Sequence, residues 1–375
     1  MTRNHALRMT AAVALVGILS LVGCAGTTPD LQAKPTAAVL TPLAELPILA
    51  DPKAYVGPST AVLPDTAITP VADDPSQSLP ATVTSYDQAG ENEVVVTDTS
   101  RVVAIDLAGS VAATVWGLGF GHTMVGRDAS TTFPGASDLP LVTSGGHTVN
   151  AESIVALKPT LVITDGTVGP RDVIEQLRDV GIAVVSVHNE GSFDGAAELA
   201  RQVAGVYGAP DAGETLAKRI VGEVAEKIAE IAEIAPQEPD KKLRIVFLYL
   251  RGGAGIYYLF GAESGADRLI TALGAIDIAS EQGWVGMRPM TDEALVAADP
   301  DLILVMSKGI ASVGGVDGLL QEKPAVAITT AGQNRRLVDM DDGSVLSFGP
   351  RSAHVLDALA RAIYAPDAAV DGGDS

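Results

Sequence analysis

The chain has 375 residues, with 46 acidic against 25 basic side chains, a formal charge of −21 and only 4% aromatic residues. A surface this acidic repels phosphate backbones and carries no basic stripe, which excludes nucleic acid as a partner. A single cysteine rules out an internal disulfide.

Residues 1–23 begin with Arg3 and Arg8, continue through an apolar run from Ala11 to Val22 and end on Gly23. A charged start, a short apolar core and small closing residues read as a secretory signal. The run is too short to remain in a bilayer as a permanent span. Its removal takes away two arginines and no acids, so the mature chain is more acidic still. "LVGC" resembles a lipobox, which implies cleavage before Cys24, lipidation of its thiol and an anchor in the outer face of the cytoplasmic membrane. Two or more acyl chains are enough for stable attachment. From residue 24 to residue 92 the chain holds ten of its 22 prolines. Proline at that density defeats helix and sheet interiors, and the stretch has too little apolar content for a core, so it reads as a flexible tether. About sixty residues of such chain reach about 45 Å on average.

The chain from residue 93 onwards is long enough for two cores. The pattern predicts an N-terminal α/β lobe over 93–208, a connecting helix over 209–236, a C-terminal α/β lobe over 237–365 and a disordered tail at 366–375. "NEVVVTDTSRVVAID" sets two β-branched runs about a turn. "LAGSVAATVWGLGF" reads as helix and "TMVGRD" as strand. "NAESIVALKP" is a short helix stopped by proline, "TLVITDG" a buried strand, "PRDVIEQLRDVG" an amphipathic helix ending on Gly181, and "IAVVSVHN" another strand. Strand and helix alternating with short connections give a parallel α/β sheet. From Phe193 to Ile234 helix formers take over, and "AGETLAKRIVGEVAEKIAEIAEIA" repeats its apolar positions at helical spacing over roughly 35 Å. Alternation resumes at "LRIVFLYLRGG". "NAESIVALKPTLVITDG" and "TDEALVAADPDLILVMSKG" share one grammar of polar residue, Glu, apolar helix, Pro, apolar strand and Gly. The fold class is therefore α/β: two similar parallel-sheet lobes joined by one long helix, with a ligand cleft between them.

The lobe–helix–lobe order and the block that occurs in both halves resemble the helix-linked substrate-binding lipoproteins of ABC importers, over about residues 93–364. That resemblance implies a binder rather than an enzyme, a modest closing of the lobes, and an ABC permease with its ATPase as partner. The family serves haem, cobalamin, ferric siderophores and some divalent metals. In it, one acidic residue on each lobe's outer tip docks permease arginines, which implies that role for Glu152 and Glu293. Each also suits the positive end of its helix on electrostatic grounds alone.

His147 follows Gly145 and Gly146, just before the "NAESI" helix. Tyr249 and Arg251 fall at the carboxyl end of the strand "RIVFLYLR", and ligands of open parallel sheets collect outside the carboxyl ends of strands. Imidazole is the commonest metal-binding side chain, and tyrosinate is known as a haem ligand. Ionising a free tyrosine at neutral pH costs about 4 kcal/mol. Ferric iron and a neighbouring guanidinium both lower that cost. Arg251, two residues on, points to the same side as Tyr249 and is placed to donate a charge-assisted hydrogen bond to its oxygen. The His–Tyr–x–Arg arrangement resembles the haem carriers of the haemin-uptake systems of corynebacteria and their relatives. It implies haem b, iron protoporphyrin IX, as transported ligand, with His147 and Tyr249 as axial ligands and surface proteins as haem donors.

A porphyrin needs apolar and aromatic cover. Trp284, Met287, Met290, Met306, Tyr257 and Tyr258 are the candidates for it, and Arg288 for a propionate; each is equally suited to an ordinary core or surface role. His188, after a strand, is a second candidate ligand, whereas His122 and His354 read as structural. The G-x-G-x-G of "WGLGFGHTMVG" trails a helix instead of opening one, so it is no dinucleotide fingerprint. No nucleophile elbow, P-loop or C-x-x-C-H occurs. Scattered histidines suit a zinc or manganese site poorly. A siderophore wants several cleft arginines, and cobalamin leaves the Tyr–Arg pair without a purpose.

Overall fold

The computed structural model describes residues 40–64, 67–87, 90–144, 148–170 and 172–368. In chain order the first half contains β1 (Ser59–Ala61), β2 (Ala81–Asp87), β3 (Gly90–Val96), β4 (Val102–Ile105), α1 (Ser110–Leu118), β5 (Met124–Arg127), β6 (Thr143–Ser144), β7 (Thr148–Val149), α2 (Ala151–Ala156), β8 (Leu161–Thr164), α3 (Asp172–Asp179), β9 (Ala183–Ser186), α4 (Phe193–Val206) and α5 (Pro210–Ile234). The second half adds β10 (Arg244–Arg251), β11 (Ile256–Phe260), α6 (Ala266–Ala272), β12 (Ile276–Asp277), α7 (Ile278–Glu281), β13 (Met287–Pro289), α8 (Asp292–Ala298) and β14 (Leu302–Met306). It closes with α9 (Ser307–Ala311), α10 (Gly315–Glu322), α11 (Pro324–Ala327), α12 (Thr330–Gln333), β15 (Leu337–Met340) and α13 (Ser352–Tyr364).

Two sheets carry the architecture. The first is parallel, in the order β5-β4-β8-β9. Its strands are apolar up to their last residues, Arg127, Thr164 and Ser186 closing β5, β8 and β9, as suits strands covered on both faces. One face packs on α1 and α4 through Val102, Ala104, Leu161 and Ile163, the other on α2 and α3 through Val103, Ile105, Val162 and Val184. The second sheet runs β1-β15-β14-β10-β11-β13, parallel except where β11 turns back antiparallel on β10 and β13 on β11. Ile245, Phe247, Leu304 and Met340 face α6 and α13, whereas Val246, Leu248, Ile303 and Val305 face α8 and α10–α12. α5 runs from one sheet to the other. It places Leu216, Ala217 and Ile220 in the first core, and Val224 and Ile231 in the second.

The block that recurs in the sequence has one physical construction. Asn150 caps α2 by accepting from the Ser153 amide at 3.0 Å, and Thr291 caps α8 by accepting from the Ala294 amide at 3.2 Å. Both helices end on a residue of positive φ just ahead of proline, Lys158 and Asp299. An arginine at the foot of the neighbouring strand then takes up the orphan carbonyls of the helix end. Arg101 donates to Leu157 and Lys158 at 2.5 and 3.0 Å, and Arg244 donates to Ala298 and Asp299 at 2.9 and 3.3 Å.

The tether expected over residues 24–92 is corrected from residue 40 onwards. Leu43 is 1% exposed in the second core, and β1 extends the second sheet by pairing with β15. Arg336, itself 1% exposed, donates to Ser59 Oγ at 2.9 Å and to the Ala362 and Ile363 carbonyls at 3.0 and 2.8 Å, with its guanidinium over the Tyr55 ring. The prolines that argued against structure lie outside the strands, in the connecting segments between these anchors, where no ladder hydrogen bond is needed. β2 and β3 pair antiparallel and are tied to β9 by a Ser85 Oγ hydrogen bond from the Ser186 amide and to α3 by the Arg178–Asp87 ion pair. The tail is likewise shorter than expected, since Asp367 accepts from the Tyr55 hydroxyl at 2.8 Å. Residues 1–39, with the signal and Cys24, and residues 369–375 lie outside the described residues.

Candidate functional site

The two lobes touch on either side of a cleft. Gly191, after β9, lies against Gly265, and a Cβ on Gly343, after β15, would stand 2.4 Å from the Ser130 carbonyl oxygen of the loop after β5. Phe193 and Phe348 meet edge to face at 5.2 Å. The carboxyl ends of the strands open between these contacts, as the doubly wound geometry requires.

On the second lobe, Tyr249 leaves β10 on the face that carries Phe247. Its ring stacks on Phe260 at 6.1 Å, and Tyr258 lies directly opposite it on β11. Met306 ends β14 and packs on the same cluster as Tyr249 and Phe260. Tyr249 is half-buried, and no described residue hydrogen-bonds its hydroxyl, which leaves the oxygen available to a ligand. Arg251 lies beside it, but not as expected. Its guanidinium stands over the Tyr249 ring, 4.6 Å from the centroid, and donates to Asp342 Oδ2 at 2.7 Å and to the Leu250 carbonyl at 2.9 Å. The hydrogen bond to the phenol oxygen is replaced by a cation–π contact and an ion pair. Asp342, in the loop after β15, was missed in the sequence; the carboxyl-end rule applied to every strand of the second half reaches it.

On the first lobe the carboxyl ends of β5, β4 and β8 carry Asp128, Asp106 and Asp165, also missed. Asp106 accepts from the Ser110 and Val111 amides at 2.9 and 3.0 Å, holding the start of α1. Asp128 accepts from the Asp106, Ser130 and Thr131 amides and fixes the loop that meets Gly343. Burial, then the nearby Asp128 and Asp165 charges, push the Asp106 carboxyl well above its ordinary value; burial also raises Asp128 against its hydrogen bonds. Leu107, next along from Asp106, is 47% exposed and offers apolar surface at the same edge. His147 lies outside the described residues; its neighbours Ser144 and Thr148 are paired between β6 and β7.

Several expected pocket residues stand elsewhere. Tyr257 alternates to the opposite face of the sheet from Tyr249, 7% exposed among the residues that face α8 and α10–α12, under the Lys323 ammonium at 4.0 Å. Burial and the Glu322 carboxylate push its hydroxyl up to about 12, the reverse of what an anionic ligand needs. Trp284 and Met290 pack on that same far face. Arg288, opposite Leu259, is exposed and turned to the Val285 carbonyl. A one-residue alternation decides Tyr257 and Arg288, and it is set by the pairing of β10, β11 and β13. Met287, 56% exposed opposite Phe260, keeps the Tyr249 side of the sheet with Tyr258 and Met306. His188 is exposed after β9, its backbone bonded to Gln202. His354 is exposed on α13, and His122 sits 3.6 Å from Asp74. Near His122, a trough of about 560 Å³ lined by Gln77, Thr97 and Asp98 opens at the amino end of β4, away from Tyr249. Glu152 and Glu293 are both exposed, each in the first turn of its helix.

For an iron-bearing ligand the donor chemistry fits: an unencumbered phenol, a guanidinium beside it and aromatic and thioether surface on the same face. Among the described residues, no three His, Cys, Asp or Glu side chains converge as a bare cation requires.

Comparison with known proteins places this cleft in context. The crystal structure of the haem-binding protein HmuT superposes with a TM-score of 0.77 at 42% identity, covering 84% of this chain and 99% of that one. Structures of HmuT variants exist in which a histidine, a tyrosine, or an arginine two residues after that tyrosine is replaced by alanine. The periplasmic haem-binding protein RhuT from Roseiflexus sp. RS-1 superposes at 36% identity and TM-score 0.64, over 71% of this chain and 98% of that one. A substrate-binding lipoprotein of an ABC transporter in Bacillus subtilis, YvrC, is 27% identical over 78% of this chain and 88% of its own. A cobalamin-binding protein of Halobacterium salinarum is 25% identical over 73% and 72%. The family model for periplasmic binding proteins matches residues 102–343. With two α/β lobes joined by α5 and a cleft at their strand ends, the chain belongs to the periplasmic binding protein family.

Proposed function

We propose that this protein captures ferric haem outside the cell membrane and delivers it to the permease of an ABC importer. Tyr249 and His147 act as the axial ligands of the haem iron, with Arg251 beside the phenol, and Cys24 carries the lipid anchor. The observation that carries this reading is the half-buried Tyr249 at the cleft end of β10, its hydroxyl unpaired among the described residues and Arg251 at 4.6 Å from its ring. The same tyrosine–x–arginine spacing is the one altered in the HmuT variants. Tyr258, Met287 and Met306 cover the porphyrin on this side and Leu107 on the other, an apolar enclosure of the kind ligand clefts use. Glu152 and Glu293, at equivalent places on the two lobes, dock the permease.

Titration of the purified protein with ferric haem, cobalamin and a ferric siderophore tests this directly. Haem is expected to saturate at one equivalent with a shifted Soret band, while the other two leave tryptophan fluorescence unchanged. Tight cobalamin binding without haem binding would overturn the assignment.

A further inference from the structure

Arg251 is held away from the oxygen it is suited to support. Its guanidinium is fastened to Asp342 at 2.7 Å, and that carboxylate is itself fixed. Asp342 Oδ1 accepts from the Lys308 amide at 2.9 Å, and its side chain is only 12% exposed. The next residue, Gly343, is wedged against the first lobe, where a Cβ would meet Ser130 O at 2.4 Å and Thr132 Oγ1 at 3.2 Å. The carboxylate is thus anchored by the Lys308 amide within its own lobe, in a loop whose next residue is packed on the other lobe, and the arginine head is the movable partner. A guanidinium has a planar fork of donors, and the edge spent on a carboxylate beside the ring is not available at the ring's tip.

We propose that Asp342 is a positioning residue that keeps Arg251 off the Tyr249 oxygen and so holds the grip on the bound ligand weak enough for delivery. The inference rests on the haem reading for its ligand, although the ion pair itself does not. When the Tyr249 oxygen carries the ligand's iron, one guanidinium serves two anions, and the carboxylate takes a share that would otherwise strengthen the phenolate. Asp342→Asn keeps the size of the side chain and an acceptor for Lys308, but removes the charge. Arg251 then turns to Tyr249 and the ligand leaves more slowly.

The test is the rate at which haem passes from the full chain to apomyoglobin. Asp342→Asn is expected to slow transfer about three- to tenfold, the size of one like charge removed at the edge of a site. Asp342→Glu restores the original rate, and in an Arg251→Ala background Asp342→Asn changes nothing. Faster transfer, or the same change in both backgrounds, makes Asp342 merely a loop-fixing residue and overturns the proposal. A second measurement needs no haem. In the ligand-free protein the resonance of Arg251 Nη2–H, the donor to Asp342, identified by its loss in Arg251→Ala, is expected to shift in Asp342→Asn; an unmoved resonance refutes the positioning. If the protein bound no haem at all, the functional reading would fail while this resonance still decided the role of Asp342.

Discussion

Replacing Arg336 by Met tests how firmly residues 40–64 belong to the folded body. Methionine fills much of the space of the aliphatic stem while removing the donors. Three acceptors then lose a donor, Ser59 Oγ on β1 and the Ala362 and Ile363 carbonyls at the end of α13, but Ser59 Oγ still donates to the Ala362 carbonyl at 2.7 Å, so the Ile363 carbonyl is the one left unpaired among the described residues. Each buried acceptor left unpaired costs about 1–3 kcal/mol. Against this stands the regained hydration of a guanidinium whose burial pushes its pKa down to about 10. The net loss is about 1–3 kcal/mol, or roughly 2–4 °C in melting temperature for a body of this size. Thermal unfolding followed by circular dichroism measures the shift, and limited proteolysis reports whether cleavage between residues 40 and 64 accelerates. A melting temperature within about 1 °C of the parent, with that segment still protected, would refute the view that Arg336 clamps it.

Asp106 gives a pH signature. Its folded pKa is raised, chiefly by burial and then by Asp128, so the ionised form costs the folded state. That cost is present above the raised value and fades as pH falls towards the ordinary 3.8. The melting temperature of the parent protein, taken relative to Asp106→Asn, is therefore expected to rise on acidification; a flat or falling difference contradicts the assignment. Glu152→Lys with Glu293→Lys is expected to leave haem titration unchanged and to lower haem-stimulated ATPase activity of the reconstituted importer at least tenfold, as loss of docking pairs implies. Weakened haem binding in that variant would place the two glutamates in the wrong role.

Much of the fold was legible because its signals are local. The duplicated Glu–helix–Pro–strand block is written in neighbouring residues, and α2–β8 and α8–β14 match it closely. The amphipathic spacing of residues 210–234 gives α5 in the same way. What was not legible depends on partners distant in the chain. Proline counting described residues 40–64 as tether because the residues that hold them, Asp339, Arg336 and Ala362, lie nearly three hundred positions away. Tyr257 lies away from the cleft for a related reason: a side chain near a strand end belongs to one face or the other by register, and β11 reverses direction there, while Trp284 and Met290 follow the loops flanking β13 to the same far face. Asp342 escaped notice because an Asp-Asp-Gly turn is an ordinary loop signal. Its meaning comes only from Arg251 packing against it.

The most direct measurement is the absorption spectrum of the protein loaded with ferric haem, compared with His147→Ala, Tyr249→Ala and His188→Ala. Tyrosinate ligation is expected to give the parent a charge-transfer band that disappears in Tyr249→Ala, changes in His147→Ala and persists in His188→Ala. An identical spectrum in all four, or one altered only by the His188 substitution, would contradict iron held at Tyr249.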